Sequence, residues 1–443
     1  MDTVHEISFG GLASAVGPLT WGQRHIRTIQ DAHPENRQQF NLYQLWRIPP
    51  GNGDRQVLSA LRALVERHEA LRTRLPNSAG GGLAQHVYAD GEFAVRVRDI
   101  GTGECGEEDL YQVAQEVAGG DFTWDEEFLV RFGILTTGGT PAWLVMMASH
   151  MIVDGASGAI LQREFMALLA EPSSIPEPSC QPVRWAAKEQ GRQGAETSRR
   201  GAEYMRDVLQ KHPGRLFGGN SAYSGTTEIA GAGGFPVVLG HGPGLGKQVE
   251  QLAERWRTSE AAVAMAALAR SFATQTGIAS FPMGVTCSNR HLPGADGYVG
   301  MLAQNGVIGV DVSNASLPEA AAQMWRSLLT GYAHSAYDQD ELGGVLAEAG
   351  VDDDYLRFGA VGHFVNYLRL DPDPIELEES RRPASSIVIE EGNPADYTIP
   401  RFGVVIASVA DDLAVRMFAD PAVVPPELAR SVARSFLEGL QSC

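Results

Sequence analysis

The stretch Ala142–Ser149, AWLVMMAS, is almost continuously apolar and stops at His150. It is far shorter than the roughly 20 apolar residues that a bilayer-spanning helix needs. It is also too uniform for a strand with one face in water. The run therefore has the pattern of a strand buried on both faces or of a helix segment, and its short length favours the strand. Met151–Gly158 follows with two glycines and an aspartate, and Ala159–Leu169 then carries Ile160, Leu161, Phe165, Leu168 and Leu169 at helical spacing. Strand, tight loop and helix in that order form the fixed point for reading the rest of the chain.

Upstream, Thr20 with Gln23 three residues later has the form of a capping box and predicts a helix start. Gln56–Leu71 predicts a second helix, with Val57, Leu58, Leu61, Leu64 and Val65 on one face. Ala84–Tyr88 and the alternating Phe93–Val97 read as strands, and the Ala-Asp-Gly between them suggests a hairpin. Glu171–Pro182 holds four prolines and is the best linker candidate. Gly214–Gly246 is glycine-rich with the short strand PVVL inside it. Further on, the pattern predicts a helix over Ser259–Thr274, strands at Phe281–Cys287, Val307–Val312, Phe364–Leu370, Phe402–Val409 and Leu413–Phe418, and a last helix opening at Pro425 and Pro426 and running to Leu440. Both halves mix helix and strand, and 443 residues suit two or three domains.

Composition bears on partners. Lys plus Arg number 35 against 54 Asp plus Glu, a net charge of −19 that repels nucleic acid backbones. No apolar run reaches membrane-spanning length, and the N-terminus carries acidic residues where a secretory signal carries basic ones, so the expected location is cytoplasmic. Cys105, Cys180, Cys287 and Cys443 are scattered with no CxxC pair, against both a disulfide framework and a zinc site.

Two familiar motifs fail. HGPGLGKQ has His241 where a phosphate-binding loop needs its first glycine, and Gln248 where it needs Ser or Thr. Gly155-Ala156-Ser157-Gly158 brings its second glycine one residue early for a nucleophile elbow, leaving Ser157 as a helix-start residue. Ser149 and His150 are neighbours on an extended chain and point to opposite faces, so this histidine cannot activate this serine. On spacing alone, His150-x-x-x-Asp154 is a metal pair or a satisfied core histidine.

Six segments in order resemble the condensation domains of nonribosomal peptide synthetases, within the chloramphenicol-acetyltransferase-like superfamily of acyltransferases. Leu19-Thr20-x-x-Gln23 resembles the family's L-[ST]-x-x-Q opening, and Arg67-His68-Glu69-Ala70-Leu71-Arg72-Thr73 its R-H-E-x-L-R-T segment. Ser149-His150-Met151-Ile152-Val153-Asp154-Gly155 is similar to the H-H-x-x-x-D-G signature, with Ser149 in place of the first histidine. Glu203–Leu209 resembles a Y-W-x-x-x-L pattern with Met205 for Trp, while Met283–Arg290 and Val299–Asn305 resemble two later motifs, the second loosened at Leu302–Gln304.

The resemblance implies an α+β fold of two lobes, each a mixed sheet covered by helices, with the active site in the cleft between them. The lobes are expected over 1–175, with the signature loop, and 185–443. It implies an acyltransferase that joins a carrier-bound acyl or aminoacyl thioester to an amine or alcohol in natural-product biosynthesis. His150 is the implied catalytic group, suited by an unperturbed pKa near 6.5 to accept a proton at neutral pH. Gly155 would let a backbone N–H approach the developing oxyanion. Asp154 is implied to pair with Arg290, clamping the loop to the other half of the chain, and Ser149 would support the site from behind. No permanent cofactor or metal is expected, since the thioester rides on the phosphopantetheine arm of a carrier. The chain has no carrier, adenylation or thioesterase segment, so a free-standing enzyme and a carrier in trans are expected. Ser149 also fits an inactive member serving as a recruitment platform. A soluble acyl-coenzyme A donor fits less well, because the D-F-G-W-G motif of some superfamily branches is absent.

Overall fold

The computed structural model describes residues 2–32, 37–38, 40–77, 81–101, 107–171, 175–213, 216, 235–348, 363–370, 386–395, 402–421 and 424–443. The chain folds as two compact units, Met1–Ala195 with Ser288–Gln304, and Glu196–Cys287 with Asn305–Cys443. The proline-rich stretch expected as the linker lies within the first unit, and the division falls later, inside helix α6 (Arg192–Lys211). Helix α5 (Pro182–Glu189) starts on Pro182, where a missing N–H costs nothing. The segment 288–304, far along the sequence, returns to the first unit and brings Arg290 with it.

The first unit is built on a five-stranded sheet, in the order β1 (Thr3–Phe9), β6 (Gly91–Asp99), β7 (Val130–Thr137), β8 (Thr140–Ser149), β3 (Asn41–Arg47). The apolar run is β8, antiparallel to both β7 and β3. Leu144 to Ala148 are all at 0% exposure, the burial on both faces that their uniformity demanded. Helix α1 (Trp21–Ala32) opens with the reciprocal cap read in the sequence: Thr20 N donates to Gln23 Oε1 at 2.8 Å, and Gln23 N donates to Thr20 Oγ1 at 3.2 Å. Helix α2 (Asp54–Arg67) buries Val57, Ala60, Leu61, Leu64 and Val65, then ends earlier than its pattern suggests. His68 adopts an extended backbone, φ −108° and ψ 111°, and Glu69–Arg72 form a 3-10 turn.

The hairpin expected between Ala84–Tyr88 and Phe93–Val97 does not form. Strand β5 (Ala84–Val87) pairs instead with β2 (Ala15–Pro18) and β4 (Thr73–Arg74) in a separate three-stranded sheet. Strand β6 pairs with β1 and β7. Alternation identifies each strand but carries nothing about its partner, and the buried face of β6 is claimed by aromatic packing, with Phe93 stacked on Phe128 at 5.0 Å.

The second unit holds a seven-stranded mixed sheet in the order β11 (Gln304–Asp311), β10 (Ser280–Cys287), β12 (His363–Leu370), β14 (Phe402–Val409), β15 (Asp412–Ala419), β9 (Phe235–Gly242), β13 (Val388–Ala395). Strands β10, β12 and β14 run parallel, and β14, β15, β9 and β13 antiparallel. Helices α7 (Leu245–Trp256), α8 (Glu260–Thr276), α9 (Leu317–Ala333) and the closing helix Pro426–Gln441 share its apolar core. Helix α8 starts where Ser259 Oγ accepts from Ala262 N at 3.1 Å. Most of the glycine-rich region before β9 and Cys105 lie outside the described residues. Cys180 and Cys287 are buried cysteines. Among the described residues no helix is long and apolar enough to cross a membrane.

Candidate active site

The signature loop lies wholly in the first unit, between β8 and helix α4 (Gly155–Ala170). The helix begins four residues before the expected Ala159, because Asp154 caps it: Oδ1 accepts from Ser157 N at 2.9 Å. Ser149 is the last residue of β8 and is 1% exposed. Its Oγ accepts from Met151 N at 3.3 Å, so the hydroxyl serves the turn's own backbone. No hydrogen bond joins it to the His150 ring.

His150 follows in the turn. Its Nδ1 lies 2.8 Å from Val153 O. A carbonyl only accepts, so the neutral ring carries its proton on Nδ1 and presents Nε2 as a lone pair. Among the described residues Nε2 meets no partner. Part of the residue reaches solvent, yet dense packing around the ring pushes its pKa below the ordinary histidine value, with the Asp154 charge and the Val153 carbonyl pulling back. The group is thus a neutral base at neutral pH.

Asp154 is 1% exposed and satisfied on both oxygens. Oδ1 accepts from Ser157 N and Oγ, each at 2.9 Å, and from Arg290 Nη2 at 2.7 Å. Oδ2 accepts from Leu302 N at 3.0 Å and Ala303 N at 3.1 Å. With these bonds made, Asp154 holds structure and has no free lone pair positioned for proton transfer. Arg290 also donates to Ser288 O at 3.0 Å and lies 5.5 Å from the Tyr298 ring centroid. The clamp therefore ties the loop to a late segment of the same unit, where a tie to the other half of the chain was expected.

Gly155 is the first residue of α4. Its φ is not positive, and a Cβ built on it would find nothing within 4 Å. Neither backbone conformation nor internal packing requires glycine there, which leaves room for an approaching ligand. The N–H groups of Gly155 and Ala156 come before Gly158 N, the first to donate within the helix (to Asp154 O, 3.0 Å), so like those of every helix start they have no intrahelical acceptor.

Sequence reasoning missed three supports. Ser157, read as a helix-start residue, meets Asp154, Arg290 and Gly300 together. Its signal was available, at N3 after an aspartate cap. His25 of α1 is 5% exposed, and burial with the nearby His150 lowers its pKa to about 4. Nothing in the spacing pointed to it. The third is the 300–303 segment, read in the sequence only as part of a loosened motif, against which α1 packs so closely that a Cβ at Gly22 would lie 2.5 Å from Met301 O. Among the described residues no group of His, Cys, Asp or Glu is arranged to hold a metal ion.

Two lobe-like units of sheet and helix, with a histidine loop at the end of a buried strand, define the fold class of chloramphenicol-acetyltransferase-like condensation domains. Solved structures agree. The chain matches a structure from work on condensation-domain-mediated chain release from the enacyloxin polyketide synthase with a TM-score of 0.73 at 19% identity, covering 98% of this chain and 83% of that one. It matches SgcC5 from Streptomyces globisporus, also with a TM-score of 0.73, at 18% identity over 96% of this chain and 98% of that one. In sequence it is 27% identical over 253 residues to the nonribosomal peptide synthetase kk1B of Curvularia clavata, which covers 55% of this chain and 2% of that protein. The condensation domain family model matches residues 14–399, and the chain belongs to that family.

Proposed function

We propose that this chain catalyses condensation, transferring an acyl or aminoacyl group from a carrier-bound phosphopantetheine thioester to an amine or alcohol. The observation that carries the reading is the His150 ring, fixed by Nδ1 on Val153 O with Nε2 left open. In this reading Nε2 takes the proton of the attacking N–H or O–H as the new C–N or C–O bond forms. The carbonyl oxygen gains charge, and the Gly155 and Ala156 N–H groups at the start of α4 are the donors best suited to it. Collapse of the tetrahedral species breaks the C–S bond, and the departing thiolate recovers the proton from His150. Asp154 and Arg290 hold the loop and exchange no proton. The acyl chain and acceptor define the product as amide or ester.

A second reading, a silent platform that recruits a carrier or another enzyme, is favoured by Ser149 where the family signature has a histidine. Turnover of an octanoyl-loaded carrier with a panel of amines separates the two. Product that depends on His150 supports catalysis, and binding of the carrier without product in every pairing supports the platform.

A further inference from the structure

Ser157 has no task in the transfer reaction, yet it is fully buried and its hydroxyl meets three separate pieces of the site. Oγ lies 2.9 Å from Asp154 Oδ1, 2.8 Å from Gly300 O, 3.0 Å from Gly300 N and 2.9 Å from Arg290 Nη2. The two nitrogens only donate, so Oγ accepts from both. Its single proton then has two acceptors in reach, and the ionised carboxylate is the stronger. The proton goes to Asp154.

We propose that Ser157 is a positioning residue of the His150 site, its one hydroxyl locking the Asp154 carboxylate, the Arg290 guanidinium and the Gly300 backbone into a single arrangement that sets the field around His150. The path is short. Asp154 directly follows Val153, whose carbonyl holds the His150 ring, and it caps the helix whose first N–H groups have no intrahelical acceptor. Asp154 is also the strongest influence opposing burial at His150. The other charged or titratable groups bearing on this pair are His25 from α1, Arg290 and the Tyr298 hydroxyl. Removing the Ser157 hydroxyl takes one donor from Asp154, leaves its negative charge less neutralised and makes His150 more basic.

The inference rests on the acyl-transfer reading for its significance, but its test needs no turnover. The full 443-residue chain is isotopically labelled at histidine, and the His150 ring is titrated by NMR, its signal assigned by its loss in His150→Gln. Wild type is compared with Ser157→Ala, Ser157→Thr and Ser157→Cys. The expected result is a higher His150 midpoint in Ser157→Ala, a wild-type midpoint in Ser157→Thr, and a smaller upward shift in Ser157→Cys, whose thiol is a weak donor. An unchanged midpoint in a folded Ser157→Ala protein overturns the proposal. If that variant does not fold, an unchanged midpoint in Ser157→Cys does the same. A carrier assay that shows no transfer would remove the catalytic reading and leave this titration result standing.

Discussion

Two imidazoles of the first unit, one fully and one half buried, make opposite use of their surroundings. His68 is 0% exposed, and its Nε2 lies 2.7 Å from Glu164 Oε2, an oxygen that also accepts from Arg67 Nε at 2.7 Å. Its other nitrogen, Nδ1, is buried with no partner among the described residues. His150 spends Nδ1 on a carbonyl and keeps Nε2 open on a half-buried ring. Burial lowers the pKa of both, so both rings are neutral at neutral pH. The pKa therefore does not mark out the proposed base. What marks it is which nitrogen is spent and whether the remaining lone pair is sealed in or left reachable.

The sharpest way to break that comparison is to delete each ring. His150→Ala is expected to lower turnover by roughly 10²–10⁴-fold with an unchanged melting curve. His68→Ala should leave the kinetics of the folded fraction near wild type and lower the melting temperature. Equal losses of activity at matched stability would dissolve the distinction. Next in size, Asp154→Ala or Arg290→Ala should each cost about 3–5 kcal/mol in denaturant unfolding, because either one strands a buried charge. A variant that unfolds like wild type yet is inactive would give the pair a chemical role.

The same rings make stability depend on pH. Their pKa values are lower folded than unfolded, so the unfolded chain binds more protons. Stability is complete above the ordinary histidine value of 6.5 and is lost as pH falls below it, for His25 down to about 4. Denaturant unfolding between pH 7.5 and pH 4.5 should show a steady decline that His68→Ala makes shallower. A flat profile would mean that the folded chain binds as many protons as the unfolded one, so that burial does not hold these rings neutral. The smallest effect concerns Tyr298, fully buried with a hydroxyl that has no partner among the described residues. Tyr298→Phe should be neutral or stabilising by up to about 1 kcal/mol, and a loss of more than that would reveal a hidden partner.

What the sequence disclosed about this site followed from locality. β8, the cap at Thr20 and Gln23 and the helix after Asp154 are written in neighbouring residues, where period and spacing apply. The pairing of strands is not local, and the Ala-Asp-Gly turn between β5 and β6 misled because a turn signal cannot name the sheet each strand joins. Asp154 and Arg290 stand 136 residues apart, and only the family resemblance put them together. The return of 288–304 to the first unit depends on Tyr298, Leu302 and Ala295 packing with Trp185 and Cys180, a cluster with no sequence period. His25 was invisible for the same reason.

The central claim is that this chain, with Ser149 as it stands, turns over through His150. Its most direct test is intact-protein mass spectrometry of acyl-loaded carrier proteins incubated with acceptor and with wild type, His150→Ala, Ser149→Ala or Ser149→His. The expected result is loss of the acyl mass from the carrier, with matching product, for wild type and Ser149→His. Ser149→Ala should fall within about tenfold of wild type, since its hydroxyl serves the turn, and His150→Ala should be slower by roughly 10²–10⁴-fold. Transfer by Ser149→His alone would contradict the claim and make the natural chain a silenced condensation domain.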